Sequence, residues 1–270
     1  MDNIFNIKRF WHYLLYDLRN ARNRYWLSSL ILGLIPVSMY VIYELMSVVI
    51  AGEWMPYNPV SQWAAFGISF VTVVLNFPVK VYGKLTEKKT GSDWLMIPAS
   101  AFEKWLSMIL IVCIVMPVCI GLMLFGSDAI LSAAIPNYGK SLLTYFKDVN
   151  RMISDSSNGI LSINLHPVLF LNWCENILIF TLGAIYFKRS KAAKTILAYF
   201  ALSMILTPVM MMVVGSDHIS SEDIEWMLNG NTLTVETFIS KVNAAVSIIY
   251  ILILGGLLGG IFARIKTLKH

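Results

Sequence analysis

The sequence predicts an all-α polytopic membrane protein, with six transmembrane helices preceded by an N-terminal amphipathic elbow helix, in a single transmembrane domain over residues 1–270. Three observations carry that expectation. Of the 270 residues, 57% are hydrophobic and 14% charged, with a mean hydropathy of +0.67. A soluble domain is typically about 45–50% apolar and about 25% charged, so this chain could not hide its apolar surface in water. The apolar residues fall into runs of about 20, the length that crosses a hydrocarbon core of about 30 Å. No series of short alternating strands is present, so the spans are helices, which satisfy their own backbone in lipid.

Residues 4–25 form the expected elbow. Phe5, Phe10, Trp11, Leu14, Leu15 and Leu18 fall toward one side, with Lys8, Arg9, Arg19 and Arg22 largely elsewhere. That pattern suits a helix lying in the cytoplasmic headgroup layer. The basic segment and the long apolar run after it do not have the layout of a cleavable signal. Spans follow at 27–50, 63–83, 105–125, 168–187, 195–215 and 242–263. Pro78 and Lys80 interrupt the second, where the proline kinks the helix and the lysine snorkels to the headgroups. Residues 126–167 make the longest connection, on the extracytoplasmic side. Within it Leu142, Leu143, Phe146, Val149 and Ile153 have helical spacing, which predicts a short helix over 141–153. The fifth-to-sixth connection is acidic, with Asp217, Glu222, Asp223, Glu225 and Glu236.

Charge sets the orientation. With the N-terminus inside, the cytoplasmic side receives Lys8, Arg9, Arg19, Arg22 and Arg24, then Lys80, Lys84, Lys88, Lys89 and Lys104. It also receives Lys188, Arg189, Lys191 and Lys194 of the fourth-to-fifth connection, and Arg264, Lys266 and Lys269 of the tail. Of the chain's 21 Lys and Arg residues, only Lys140, Lys147, Arg151 and Lys241 are left outside. Both termini are therefore expected in the cytoplasm. The net charge of +5 reflects this asymmetry, and no nucleic-acid partner is expected.

Cys113, Cys119 and Cys174 lie inside apolar runs without metal-site spacing and read as small core residues. GxxxxGKS/T, HExxH, GxSxG and CxxC motifs are absent, and His12, His166, His218 and His270 are scattered. No catalytic residue, metal or cofactor is assigned, and the chain is not expected to be an enzyme. Two carboxylates fall within spans. Glu44 is in the last third of the first, and Glu175 is in the first third of the fourth, beside Asn172 and Asn176. The topology places both in the outer half of the membrane, where an ionised side chain costs about 2.5–3.5 kcal/mol on insertion scales. They are candidates for a translocation path. The other reading is hydration near the outer surface or contact with neighbouring helices. Gly255, Gly256, Gly259 and Gly260 form two overlapping GxxxG pairs, which let helices approach closely, within the chain or across a dimer seam.

Residues 84–104 connect the second and third spans in the cytoplasm. Ser100 and Glu103, just after Pro98, make an SxxE capping box that starts the third helix. Trp94, Leu95, Met96 and Ile97 form an apolar knot in an otherwise charged stretch, which is either a headgroup anchor or a docking surface for a cytoplasmic partner. The segment WLMIPASAFEKWLS, from Trp94 to Ser107, resembles the LLPAS-x-x-EK segment of permease subunits of type-two ATP-binding-cassette exporters. In that group it recurs between the second and third spans, especially in proteins of the Bacteroides phylum. The layout agrees over nearly the whole chain: elbow, six spans, cytoplasmic termini and no ATPase motif. The resemblance implies a permease of the bacterial cytoplasmic (inner) membrane, working as a homo- or heterodimer with a separate ATPase subunit that binds the ATP. Power strokes would arrive through the 84–104 coupling loop and the elbow, with Trp94, Leu95, Met96, Ile97, Ser100 and Glu103 at the docking surface. The alternative is a non-transporting membrane scaffold or regulatory protein.

Overall fold

The computed structural model describes residues 5–53, 57–87, 91, 93–94, 96–148, 165–214 and 232–268, and among them every regular element is helical. Helix α1 (Ile7–Gly33) starts on Asn6, whose side chain accepts from the N–H groups of Lys8 and Arg9. It runs unbroken through the boundary expected between elbow and first span. Nothing near Tyr25 interrupts the helical register, and the buried stripe Phe10, Tyr13, Asp17, Ala21, Tyr25 and Leu32 continues across it. The break comes at Leu34, because Pro36 has no N–H and its ring excludes the carbonyl of Leu32. Helix α2 (Ile35–Ala51) carries that proline in its first turn and ends on Gly52, whose φ of 71° is the left-handed conformation of a helix C-cap.

Helix α3 (Pro59–Val81) is capped by Asn58, holds Pro78 in its last turn and passes into a 3-10 turn, Gly83–Thr86. Helix α4 (Ala101–Leu110), a π turn (Ile111–Val115) and α5 (Met116–Ala134) follow one another without a break. The wide turn has an identifiable cause. Pro117 lacks an N–H and would collide with the carbonyl one turn back, so the ladder loosens there. The carbonyl of Val112 accepts instead from the Trp173 indole at 3.3 Å. Helix α5 continues past residue 125, the expected end of its span, to Ala134. A 3-10 turn (Pro136–Tyr138) and a helical stretch at 142–148 come next. That stretch is the described part of the helix expected over 141–153, and 149–164 lies outside the described residues. Helices α6 (Leu165–Tyr186), α7 (Lys191–Val214) and α8 (Thr232–Thr267) complete the bundle. Of the acidic fifth-to-sixth connection, 215–231 lies outside the described residues.

Among the described residues, four helical stretches are long and apolar enough to cross a membrane: Ile7–Ile50, Val60–Val81, Ala101–Ala134 and Tyr250–Thr267. Of the other two expected spans, 168–187 corresponds to a shorter apolar helix, Phe170–Tyr186, and 195–215 coincides with α7. The outside of the bundle is apolar, with Val49, Ile50, Leu122, Leu197 and Leu252 all strongly exposed. That is the kind of surface a bilayer covers, and the apolar helices are compatible with a membrane protein. Inside, α3 and α6 are central. Helix α6 packs on α3, α7 and α8, while α1 packs on α3, α4 and α5. The main core gathers Tyr25, Val73, Phe77, Met108, Ile111, Val112, Ile177, Ile185 and Ile261. A second cluster, Tyr57, Leu131 and Tyr138, lies apart from it. Cys113 and Cys174 are buried as expected, but Cys119 is exposed on the bundle surface.

Candidate functional site

The first turn of α4 is built from its own sequence. Ser100 has extended φ/ψ, its hydroxyl accepts from the Glu103 N–H at 3.2 Å, and the Glu103 carboxylate accepts from the Ser100 N–H at 2.9 Å. This is the capping box read from the sequence. Glu103 does more than cap. Its carboxylate, fully buried, takes the Arg9 guanidinium of α1 at 2.8 Å and the N–H of Asn6 at 3.0 Å. Burial alone would raise the Glu103 carboxyl, but the Arg9 guanidinium and the N–H groups of Asn6 and Ser100 outweigh it and hold it down to about 2. One carboxylate therefore ties the start of α1 to the start of α4.

The apolar knot divides. Trp94 is half-buried against the core, where its indole N–H donates to the Tyr13 hydroxyl of α1 at 2.9 Å. The Lys104 ammonium lies 4.5 Å from the centre of its ring and donates to the Trp94 carbonyl at 3.0 Å. Burial lowers Lys104 to about 8. Trp94 is thus an inward anchor rather than part of an exposed cluster, because α1 supplies the hydroxyl that its N–H requires. Met96, 79% exposed, is the outward member, Ile97 is half-buried, and Leu95 lies outside the described residues. Deeper in the same joint, Asp17 of α1 is 3% exposed and accepts from the hydroxyls of Ser107 (2.9 Å) and Tyr82 (3.3 Å).

The intramembrane candidates fall in two places, Glu44 on α2 and Asn172, Glu175 and Asn176 on α6. Glu44 is buried on α2, and among the described residues neither carboxylate oxygen makes a hydrogen bond of good geometry, although the Tyr40 hydroxyl lies near. Its helix also carries Tyr40 and Tyr43, whose rings meet Tyr57 edge-on, and Tyr57 stacks on Tyr138 at 5.0 Å. Asp128 ties this cluster down, accepting from the Tyr138 hydroxyl (2.6 Å) and the Leu142 N–H (2.7 Å). On α6, Glu175 is half-buried, and the Asn176 amide donates to the Asn172 carbonyl at 2.8 Å. No described interaction joins Glu44 to Asn172, Glu175 or Asn176. The glycines of the last helix divide. Among the described residues, a Cβ at Gly255, Gly256 or Gly259 meets nothing within 4 Å, and one at Gly260 lies 3.6 Å from Leu182.

Comparison with known proteins gives no relative. No family model, curated protein or solved structure matches the chain. The likeness to exporter permeases therefore rests on Trp94–Ser107 and the layout of spans. What the sequence did not disclose is how α1 meets α4. The spacing of Tyr13, Asp17, Ala21 and Tyr25 at successive helical turns is the signal that could have placed Asp17 on the buried side.

Proposed function

We propose that this chain is the membrane-spanning permease subunit of an ATP-binding-cassette transporter, an exporter, which works as a dimer with a separate ATPase subunit. The observation that carries the reading is the clamped joint between residues 94–107 and α1, built on the segment that resembles exporter permeases. An ATPase can move a permease only through surface it touches. The connection after α6 is short and basic, so the 84–104 loop and the first half of α1 are the natural footholds. Force on the Met96 side of the loop passes through Trp94 into Tyr13, and through the Ser100–Glu103 box into α4. In this arrangement the first half of α1 is the elbow at the cytoplasmic face, with both termini inside. Glu44, Asn172, Glu175 and Asn176 are the candidates to line the path, and the open face of Gly255, Gly256 and Gly259 suits a second permease. ATP would be held by the partner, and this chain would supply no catalytic residue.

The test is a mild solubilisation of the tagged full chain carrying a photo-crosslinker at Met96. The expected product is a cross-link to a nucleotide-binding protein with a phosphate loop. Cross-links that never reach such a protein, in cells producing both, overturn the reading.

A further inference from the structure

At the end of the bundle where α3 stops and α7 starts, a bay of about 840 Å³ lies between α1, the end of α3, the 3-10 turn and the start of α7. Its wall carries Arg24, Lys80, Lys84, Lys188 and Lys191 against one carboxylate, Glu87. Hydrogen bonds of three of these cations go to neutral oxygens. Arg24 donates to the Val81 carbonyl (3.3 Å), Lys80 to the Ser28 hydroxyl (2.6 Å), and Lys191 to the Gly83 carbonyl. These contacts fix the positions of the cations and leave their charge in place. Gly83 admits the Lys191 side chain, since a Cβ there would lie 3.3 Å from its Nζ and Cδ.

The depth of the bay is as informative as its charge. The apolar run of α3 ends at Val81 and the shorter apolar helix at Tyr186, while α7 turns apolar only after Lys194. The bay therefore sits where apolar surface gives way to charge, which is headgroup depth. Beyond it, Ala193, Leu197, Phe200 and Met204 recur at helical spacing on one face of α7, and Leu197 is 72% exposed, Phe200 59% and Met204 62%.

We propose that this bay binds the headgroup of an anionic phospholipid, its phosphate on Arg24, Lys80, Lys84 and Lys191 and one acyl chain along the Leu197–Phe200–Met204 face of α7. Basic pockets between transmembrane helices take such headgroups because the cations lie within a Debye length of the phosphates. A headgroup with two phosphates matches the surplus of cations best. A zwitterionic headgroup brings its own ammonium, which the same residues repel. The inference needs only that the bundle lies in a bilayer, so it stands or falls separately from the transport reading.

The test uses the full chain in a neutral detergent, with cardiolipin, phosphatidylglycerol or phosphatidylcholine added at equal concentration and retained lipid read by native mass spectrometry. Cardiolipin should be kept most, phosphatidylglycerol next, and phosphatidylcholine least. The combined variant Lys80→Gln, Lys84→Gln, Lys188→Gln should lose cardiolipin retention by about tenfold or more. It leaves Arg24 and Lys191 on their carbonyls and removes the Lys80–Ser28 hydrogen bond, so its melting temperature in phosphatidylcholine nanodiscs should fall by no more than a few degrees. Phosphatidylcholine retained as well as cardiolipin, or cardiolipin retained undiminished by the variant, overturns the proposal. So does stabilisation by soluble pyrophosphate equal to that by cardiolipin, which would make the bay a site for free anions.

Discussion

At Glu103, a residue that reads locally as a helix cap also receives Arg9 from 94 positions away. The cap was legible because its two residues lie three apart and the rule is local. The ion pair was not, because sequence does not say which basic residue of α1 faces α4. The consequences are separable. Arg9→Ala leaves a buried carboxylate short of its cation and should cost about 1–3 kcal/mol, whereas Glu103→Gln keeps a capping side chain and should cost less. Thermal unfolding of the two variants in one detergent checks that order, and equal losses would contradict it. Glu103, held down to about 2, contributes above about 4.5 and loses its contribution as pH falls. Asp17→Asn still accepts from Tyr82 and Ser107, whereas Asp17→Leu leaves both buried hydroxyls without that acceptor and should cost about 1–3 kcal/mol more. Thermal unfolding in one detergent should rank Asp17→Asn above Asp17→Leu, and the reverse order would remove Asp17 from this role.

Among the elements, helices were easier to read than their partners. Runs of about 20 apolar residues mark a helix in lipid whatever it packs against, so the helical segments fall close to where the sequence puts them. Their ends are set by individual residues. Pro36, not the polar-to-apolar change near Tyr25, stops α1, and Pro117 widens the turn before α5. The GxxxG pairs do not mark the tight crossing between α6 and α7. Helices α6 and α7 approach most tightly at Gly183, where an added Cβ would lie 2.8 Å from Thr195 Cβ and overlap its hydroxyl. A single glycine without a partner at i+4 carries no pattern to notice. Gly183→Ala should cost about 1–3 kcal/mol by forcing the two helices apart. Adding Thr195→Gly, at a helix-propensity cost of about 1 kcal/mol, should recover part of that loss. If the double variant melts below Gly183→Ala alone, the crossing is not what limits α6 and α7.

For the whole molecule, the sequence supplies a direction that packing alone does not. A helical bundle with an apolar exterior can enter a bilayer either way up, and its contacts are the same in both. Only the distribution of Lys and Arg breaks that symmetry, because basic loops are retained on the cytoplasmic side during insertion. Three exposed positions suffice to test it: Lys140 beyond α5, Met96 in the 84–104 loop, and Lys188 between α6 and α7. The native thiols allow a clean background, since Cys113 and Cys174 are buried and only Cys119 is exposed. In a Cys119→Ala chain, single cysteines at these positions can be probed in intact cells with a membrane-impermeant maleimide. Cysteine at Lys140 should be labelled from outside. Cysteines at Met96 and Lys188 should react only after the membrane is permeabilised, because both sit among the basic residues assigned to the cytoplasm. Labelling of Met96 and Lys188 from outside, with Lys140 protected, would invert the molecule. It would also place the clamped loop beyond the reach of any ATPase, so this one measurement bears on the orientation and on the proposed function together.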